Sequence, residues 1–316
     1  MLRQIEKARE RLSEYFSPTP TVRSDILSQQ HGGPVRLKLE TQQPTGSFKV
    51  RPSMNSMLTR LEQARSKGVV TSSSGNFAQG TAYAARRLGV DLQVVMMKSA
   101  SGFKRQRTEE LGATVVPCEN TFKDRWDTTY RIAGESGRLL IHPYDSEETI
   151  AGDGTIGLEL LEQVEGDFCV VVPISGGGVI SGIATAIKEK RPGCRVVGAQ
   201  PSANGSMARS LEAGKPVAVT PGPTLADALM IAQPGKRTFE IVRRLVDDVA
   251  AVDESEIRGA VKLLAEQQKL VVEGGGAVGA AALLNGKVKT AGLPVVCVLS
   301  GGNIQPSKLA EILAAS

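Results

Sequence analysis

Aromatic side chains make up only 4% of this 316-residue chain, which holds a single tryptophan. With 34 glycines beside them, so few aromatics suit many tight strand-to-helix turns rather than an all-β sandwich. Histidine is scarcer still. His31 and His142 stand far apart with no ligand-like spacing, so zinc catalysis and a Ser-His-Asp triad are both poorly supplied. His142, after Leu139-Leu140-Ile141, reads as a structural residue closing a strand. The four cysteines, Cys118, Cys169, Cys194 and Cys297, form no Cys-x-x-Cys pair and lie mostly in or beside apolar stretches. They read as buried thiols of a reducing compartment, neither disulfide-forming nor metal-binding. No stretch approaches the roughly 20 apolar residues of a membrane span. The first sixteen residues, Met1 to Phe16, read as an amphipathic helix of both charge signs without an apolar signal core. A soluble, cytoplasmic protein with no membrane partner is expected.

An excess of one charge is also lacking. The net charge is +5, but basic and acidic residues are interleaved throughout. The densest basic run, Lys188-Glu189-Lys190-Arg191, is broken by an acid and reads as a solvated helix end, so no nucleic-acid partner is expected. A mildly basic protein still attracts anionic small molecules.

What is present is alternation. With 41% hydrophobic residues, the chain can bury a large core and is long enough for two domains. Val35–Leu39 alternates like a half-exposed strand. Val69–Thr71, Leu92–Met96, Thr114–Val116 and Leu139–Ile141 follow, separated by helical stretches at Phe77–Leu88, Gly102–Leu111 and Phe122–Glu135. A second set comprises Cys169–Val172, Arg195–Gly198 and Val295–Leu299. Continuous apolar runs between helices mean parallel strands covered on both faces. The expected class is therefore α/β, with two open three-layer αβα domains and mostly parallel sheets. A boundary near Pro143-Tyr144-Asp145 gives a large domain of 1–49 and 147–316 and a small one of 50–146. Taken alone, the strand before Lys49 could join either sheet.

Glycine-rich turns punctuate this pattern at Ser73-Ser74-Gly75-Asn76, Ser175-Gly176-Gly177-Gly178, Glu273-Gly274-Gly275-Gly276 and Ser300-Gly301-Gly302-Asn303, most of them after an apolar strand. In open α/β sheets ligands collect beyond the carboxyl ends of strands. Ser175 to Gly178 follows one such strand and precedes a helix running from Val179 to Ile187. That geometry aims backbone N–H groups and a helix N-terminus at one anion, most simply a phosphate. A dinucleotide site would also want an acid at the end of the next strand, and Gln200 stands there. Lys49, in Thr45-Gly46-Ser47-Phe48-Lys49-Val50-Arg51, is framed by hydroxyl residues, a glycine and an aromatic. A desolvated lysine amine loses its charge readily and can form a Schiff base, which arginine cannot do.

Taken in order, these motifs resemble, over essentially the whole chain, the fold-type II pyridoxal-phosphate enzymes, and within them the serine/threonine dehydratase and serine racemase branch. The match rests on Lys38-Leu39-Glu40, the Thr45–Arg51 stretch, Ser73–Gly80, His142-Pro143-Tyr144, Ala151–Thr155, the glycine turn at 175–178, Leu225-Ala226-Asp227 and Ser300–Asn303. Cysteine synthases share the fold but usually carry a Lys-Asp-Arg type sequence and a different asparagine loop. The resemblance implies pyridoxal 5′-phosphate in the cleft between two domains, a small-molecule amino-acid substrate and a homodimer. It makes Lys49 the Schiff-base lysine and, once freed by the substrate amine, the base at Cα. Phe48 would pack on the cofactor and Asn76 would bond its phenolic oxygen. Ser175, Gly176, Gly177, Gly178 and Val179 would hold its phosphate, and Ser300 would face its ring nitrogen. A neutral hydroxyl there makes the ring a weaker electron sink and favours expulsion of a β-hydroxyl over transamination. Ser73, Asn76 and the backbone at Phe77 would receive the substrate carboxylate. Ser74 corresponds to the opposite-face acid/base of racemases, although a serine here can equally satisfy a turn amide.

Several residues depart from the pattern. Phe77 stands where the family commonly has histidine, and Met230 and Ile231 stand where polar residues are frequent. If they reach the pocket they favour a larger or more apolar substrate side chain; ordinary packing explains them as well. Arg125 corresponds to an arginine that can reach polar substrates, although a helix arginine is ordinarily solvated. Asp153, where glutamine is more usual, has no assigned role. Metal-activated relatives carry carboxylates at the positions of Gln200 and Ser206, so no Mg or Ca is expected here. Only Ile304 to Ser316 follow the last glycine turn, so no appended regulatory domain is expected. The implied activity is elimination of water from threonine or serine to a 2-oxo acid and ammonia. A racemase, a lyase for an unusual 3-hydroxy amino acid and a non-catalytic amino-acid-binding relative are the alternatives, the last disfavoured by retention of Lys49.

Overall fold

The computed structural model describes residues 1–315. The chain opens with helix α1 (Leu2–Leu12), strand β1 (Thr21–Arg23), helix α2 (Asp25–His31) and strand β2 (Val35–Leu39). Helices α3 (Val50–Leu58) and α4 (Leu61–Lys67) precede β3 (Val69–Ser72), α5 (Asn76–Leu88) and β4 (Leu92–Met97). Then come α6 (Gly102–Glu110), β5 (Thr114–Cys118), α7 (Phe122–Ser136) and β6 (Leu139–Ile141). The long helix α8 (Glu147–Gln163) leads to β7 (Cys169–Pro173), α9 (Gly178–Lys190), β8 (Arg195–Pro201) and α10 (Ser206–Ala213). The chain continues through α11 (Lys236–Leu245), β9 (Asp248–Val252), α12 (Glu254–Gln268), α13 (Gly274–Leu284), β10 (Val295–Leu299) and α14 (Pro306–Ala314).

Two sheets result. The four-stranded sheet, in the order β5-β4-β3-β6, is wholly parallel, and the six-stranded sheet runs β1-β2-β10-β7-β8-β9. Only the short edge strand β1 is antiparallel. The expected class, α/β with mostly parallel sheets, is what the chain adopts. β2 pairs in parallel with β10, which settles that strand in the six-stranded sheet. β7 and β10 are buried along their whole length, as strands covered on both faces must be. Separate apolar clusters fill the two sides of the larger sheet, and a third lies around β3, β4 and α5.

Three expectations need correction. β2 is not half-exposed: Arg36 is exposed, but Lys38 is fully buried and its ammonium donates to Glu159 at 2.5 Å, to the Thr19 carbonyl and to Gln163. A buried ion pair supplies what the alternation could not reveal. Strands β1 and β9 fall outside the pattern: β1 spans three residues, and β9 mixes partly buried, buried and exposed positions instead of forming a continuous apolar run. The Glu273 turn follows no strand and opens α13 directly. The basic run at Lys188–Arg191 does end a helix, but Arg191 donates to three backbone carbonyls, those of Leu161, Val164 and Gly166. The four cysteines are free and buried, and no helix among the described residues is long and apolar enough to cross a membrane.

Candidate active site

Beyond the carboxyl ends of both sheets lies a cleft of about 370 Å³. The turns after β3 and β4, together with Pro143 and Tyr144 after β6, form one wall. The turns after β7 and β10, the 227–231 segment and Glu273 form the other. The residues expected to hold cofactor or substrate line it: Phe48, Lys49, Ser73, Ser74, Asn76, Phe77, Arg125, Ser175, Gly176, Gly177, Gly178, Val179 and Ser300. Met230 and Ile231 line it too.

Lys49 sits at the head of α3 on a loop stapled to the last turn. Gly46 takes φ +69°, a left-handed value suited to glycine, the Phe48 amide donates to the Ser300 carbonyl at 3.1 Å, and Ser47 bridges Gly301. This fixes the lysine beside Ser300. Its Nζ stands 3.3 Å from the Pro143 carbonyl and 4.5 and 5.4 Å from the ring centres of Phe48 and Phe77. Burial pushes the ammonium below its ordinary range, although Asp153 opposes the shift. An amine held this way is ready to be uncharged and nucleophilic.

The glycine turn is a cradle with no room for side chains. A Cβ on Gly176 would lie 2.5 Å from the Tyr144 ring, and one on Gly177 would lie 2.9 Å from Thr238 and Met207. Gly177 takes φ +95° as the N-cap of α9. Thr238 braces the turn by donating to the Gly176 carbonyl at 2.6 Å. Asp145 in turn accepts from the amides of Lys236, Arg237 and Thr238 at 3.0 to 3.1 Å. Backbone amides at a helix start with no side chain before them suit a phosphate.

Asn76 is clamped from two sides. Its Oδ1 accepts from Asn303 at 2.9 Å, and its Nδ2 donates to Glu273. Glu273 is a site residue that the sequence reading missed. It is buried, burial pushes its carboxyl up to about 7 and the Asn76 bond pulls it down, and its second oxygen has no partner. Its only signal was an acid heading three glycines. Ser73, not Ser74, satisfies the local turn by accepting from the Gly75 amide at 3.2 Å. The Ser74 hydroxyl is without a partner.

Arg125 is not solvated. It is 7% exposed, its guanidinium lies 4.9 Å from the Phe122 ring centre, and its Nε is unpaired. His142 has a structural setting: stacked on Trp126 at 4.7 Å, with Nδ1 accepting from the Asp145 amide at 2.8 Å. Burial pushes it down to about 4, so it stays neutral. Lys104 on α6 pairs with Asp227 across the cleft. Gln200 and Ser206 lie away from the cleft lining, and no cluster of metal-binding side chains occurs among the described residues.

Residues 12–301 match the family described as pyridoxal-phosphate dependent enzyme. The chain belongs to that family. It is 41% identical over 312 residues to the L-threonine ammonia-lyase of Thermotoga maritima, covering 99% of this chain and 78% of the relative. It is also 41% identical over 310 residues to the catabolic L-threonine dehydratase of Escherichia coli K12, covering 98% and 94%. Among solved structures, maize serine racemase superposes with a TM-score of 0.93 at 37% identity, covering 98% of this chain and 95% of that one. The cofactor of a pyridoxal-phosphate enzyme fits this cleft on its geometry as well. A lysine whose charged form burial disfavours, a neutral hydroxyl and a side-chain-free turn at a helix start line the same cleft.

Proposed function

We infer that this enzyme is an ammonia-lyase that eliminates water from a 3-hydroxy amino acid, threonine or serine, giving a 2-oxo acid and ammonia. The observation that carries the reading is the shared cleft of Lys49, the Ser175–Gly178 turn and Ser300, with the Ser73–Phe77 turn beside them. When bound, pyridoxal 5′-phosphate supplies the electron sink for the bond broken at Cα. Ser175, the three glycines and Val179 would hold its phosphate, Asn76 its phenolic oxygen and Ser300 its ring nitrogen, with Phe48 packed on the ring. Lys49, whose charged form burial disfavours, takes the Cα proton at Nζ. Ser73, Asn76 and the Phe77 amide orient the substrate carboxylate. The hydroxyl group leaves from Cβ as water, and hydrolysis of the enamine product releases ammonia.

The relatives named as threonine enzymes support threonine as substrate. The apolar side chains of Phe77, Met230 and Ile231 on the cleft wall favour it over serine, since they can bury its extra methyl group. Arg125, buried and unpaired at Nε, is proposed to meet the polar part of the substrate. Residues 50–146 are proposed to form the smaller domain, beside a large one of 1–49 with 147–316. A cytoplasmic homodimer completes the proposal, supported by the family resemblance alone.

The test is to add pyridoxal 5′-phosphate to the purified protein, record its visible absorption, and assay 2-oxo acid from L-threonine and L-serine. A Lys49-dependent band with turnover, and a higher kcat/KM for threonine, is the expected result. A band without turnover on either amino acid would refute the substrate assignment. Absence of a band would refute the site. A serine preference would remove the argument from the apolar wall.

A further inference from the structure

Asp153 projects from α8 with none of its surface exposed, and neither of its carboxyl oxygens has a hydrogen-bond partner. An isolated buried carboxylate is among the costliest groups a fold can hold, and holding a proton removes most of that cost. The location gives the residue its meaning. Its Oδ2 lies 2.9 Å from where a Cβ on Gly178 would stand, so the carboxyl packs against the first residue of α9. Gly178 lines the cleft and Asp153 does not: the carboxyl backs the glycine turn from behind.

Little around it can offset a negative charge. From the start of α3 come Lys49 and Arg51, and Glu40 adds a further negative charge. Arg51 and Glu40 are already paired with each other. Tyr144, whose Cα lies 3.1 Å from the same Gly178 Cβ position, offers a phenol that burial pushes up to about 12. On α9 no charged side chain occurs before Lys188. On α1, Arg9 pairs with Glu162 and Glu6 with Lys190. On α8 itself, Glu159 is committed to Lys38 and Arg51. Lys49 is left, and it does not reach hydrogen-bonding distance.

We propose that Asp153 carries its proton while the cofactor phosphate occupies the Ser175–Gly178 turn, and that its ionisation loosens the phosphate. The inference rests on that turn being the phosphate seat. A phosphate monoester, with its second pKa near about 6, is a dianion above neutral pH. A second negative charge behind one backbone residue, in a dry interior, opposes it. Burial pushes Asp153 up to about 7, with Lys49 acting against the shift, so ionisation falls near neutral pH. Phosphate binding above that point takes up a proton, and affinity falls by up to about tenfold per pH unit.

The experiment titrates pyridoxine 5′-phosphate into full-length protein freed of its cofactor, followed by calorimetry. This compound keeps the ring and phosphate but has a hydroxymethyl group in place of the aldehyde, so Lys49 cannot bond to it. Wild-type affinity should weaken by up to about fiftyfold between about pH 7 and about pH 9, and that of Asp153→Asn by less than about threefold. Asp153→Gln serves as a second variant of neutral charge and should match Asp153→Asn. Parallel weakening in all three proteins would assign the slope to another group, Lys49 first, and overturn the proposal. A wild-type affinity flat with pH would overturn it as well. Failure of all three to bind at any pH would instead refute the phosphate seat on which it stands.

Discussion

Replacing Arg51 with methionine should destabilise this enzyme more than almost any other single change that keeps side-chain volume. Arg51 binds Glu40 through Nε at 2.8 Å and Nη2 at 2.9 Å, and it reaches both oxygens of Glu159. Glu159 also accepts from Lys38, and Glu40 from Thr19 at 2.6 Å. All five side chains are buried. Two cations face two carboxylates, so the cluster is neutral, and the change to methionine leaves it one charge short. Breaking a buried pair in this way costs about 3–5 kcal/mol. At roughly 1.5 °C per kcal/mol for a chain of this length, Tm should fall by about 5–8 °C. Urea unfolding at pH 8 and at acid pH checks the sign. Burial acts to raise the Glu40 carboxyl, but Arg51 outweighs it and holds that carboxyl below its ordinary value. The wild-type contribution is therefore present above the unfolded carboxylate range and is lost as the pH falls through the folded value. Without Arg51, the burial of Glu40 goes uncompensated and a proton relieves it, so the deficit of the variant should shrink on acidification. A second change, Glu40→Gln, should recover part of the loss at pH 8. A deficit below about 1 kcal/mol, the level of an exposed pair, would refute the argument, as would one that grows in acid.

Two further outcomes bear on the chemistry. Ser74→Ala should spare elimination and abolish any racemisation of serine, because the Ser74 hydroxyl is buried without a partner while Ser73 serves the turn amide; chiral analysis of serine alongside the 2-oxo acid assay decides it, and equal loss of both activities would remove the two-base reading. Chelation with EDTA should leave activity unchanged, since Gln200 and Ser206 offer no carboxylate to a hard cation; activity lost on chelation and restored by Mg would show that reading to be wrong.

The parts of this molecule that were legible in its sequence are those where one local rule decides the outcome. A continuous apolar run such as Val170-Val171-Val172 has one stable home, a strand covered on both faces, and it lies there. A Ser-Gly-Gly-Gly turn before a helix has few uses other than a backbone cradle, and its three glycines are hemmed in by Tyr144, Thr238 and Asp153. The failures share a different origin. Lys38 reads as a solvent-facing residue in an alternating strand because the carboxylate that meets it, Glu159, lies more than a hundred positions away. Arg125 reads as a solvated helix residue because nothing in its helix reveals the cleft it faces. Glu273 is an acid before a glycine run until Asn76, from the other sheet, donates to it. In each case a charged side chain is buried by a partner or a cavity brought up by tertiary contacts, and composition and periodicity carry no trace of such a meeting. Periodicity finds the scaffold because burial of apolar surface is local in pattern, whereas the electrostatics of the site are set by long-range pairs. The same distinction explains why Asp153 was left without a role by its motif: its neighbours in sequence are helix, and its neighbours in space are Lys49 and the glycine turn.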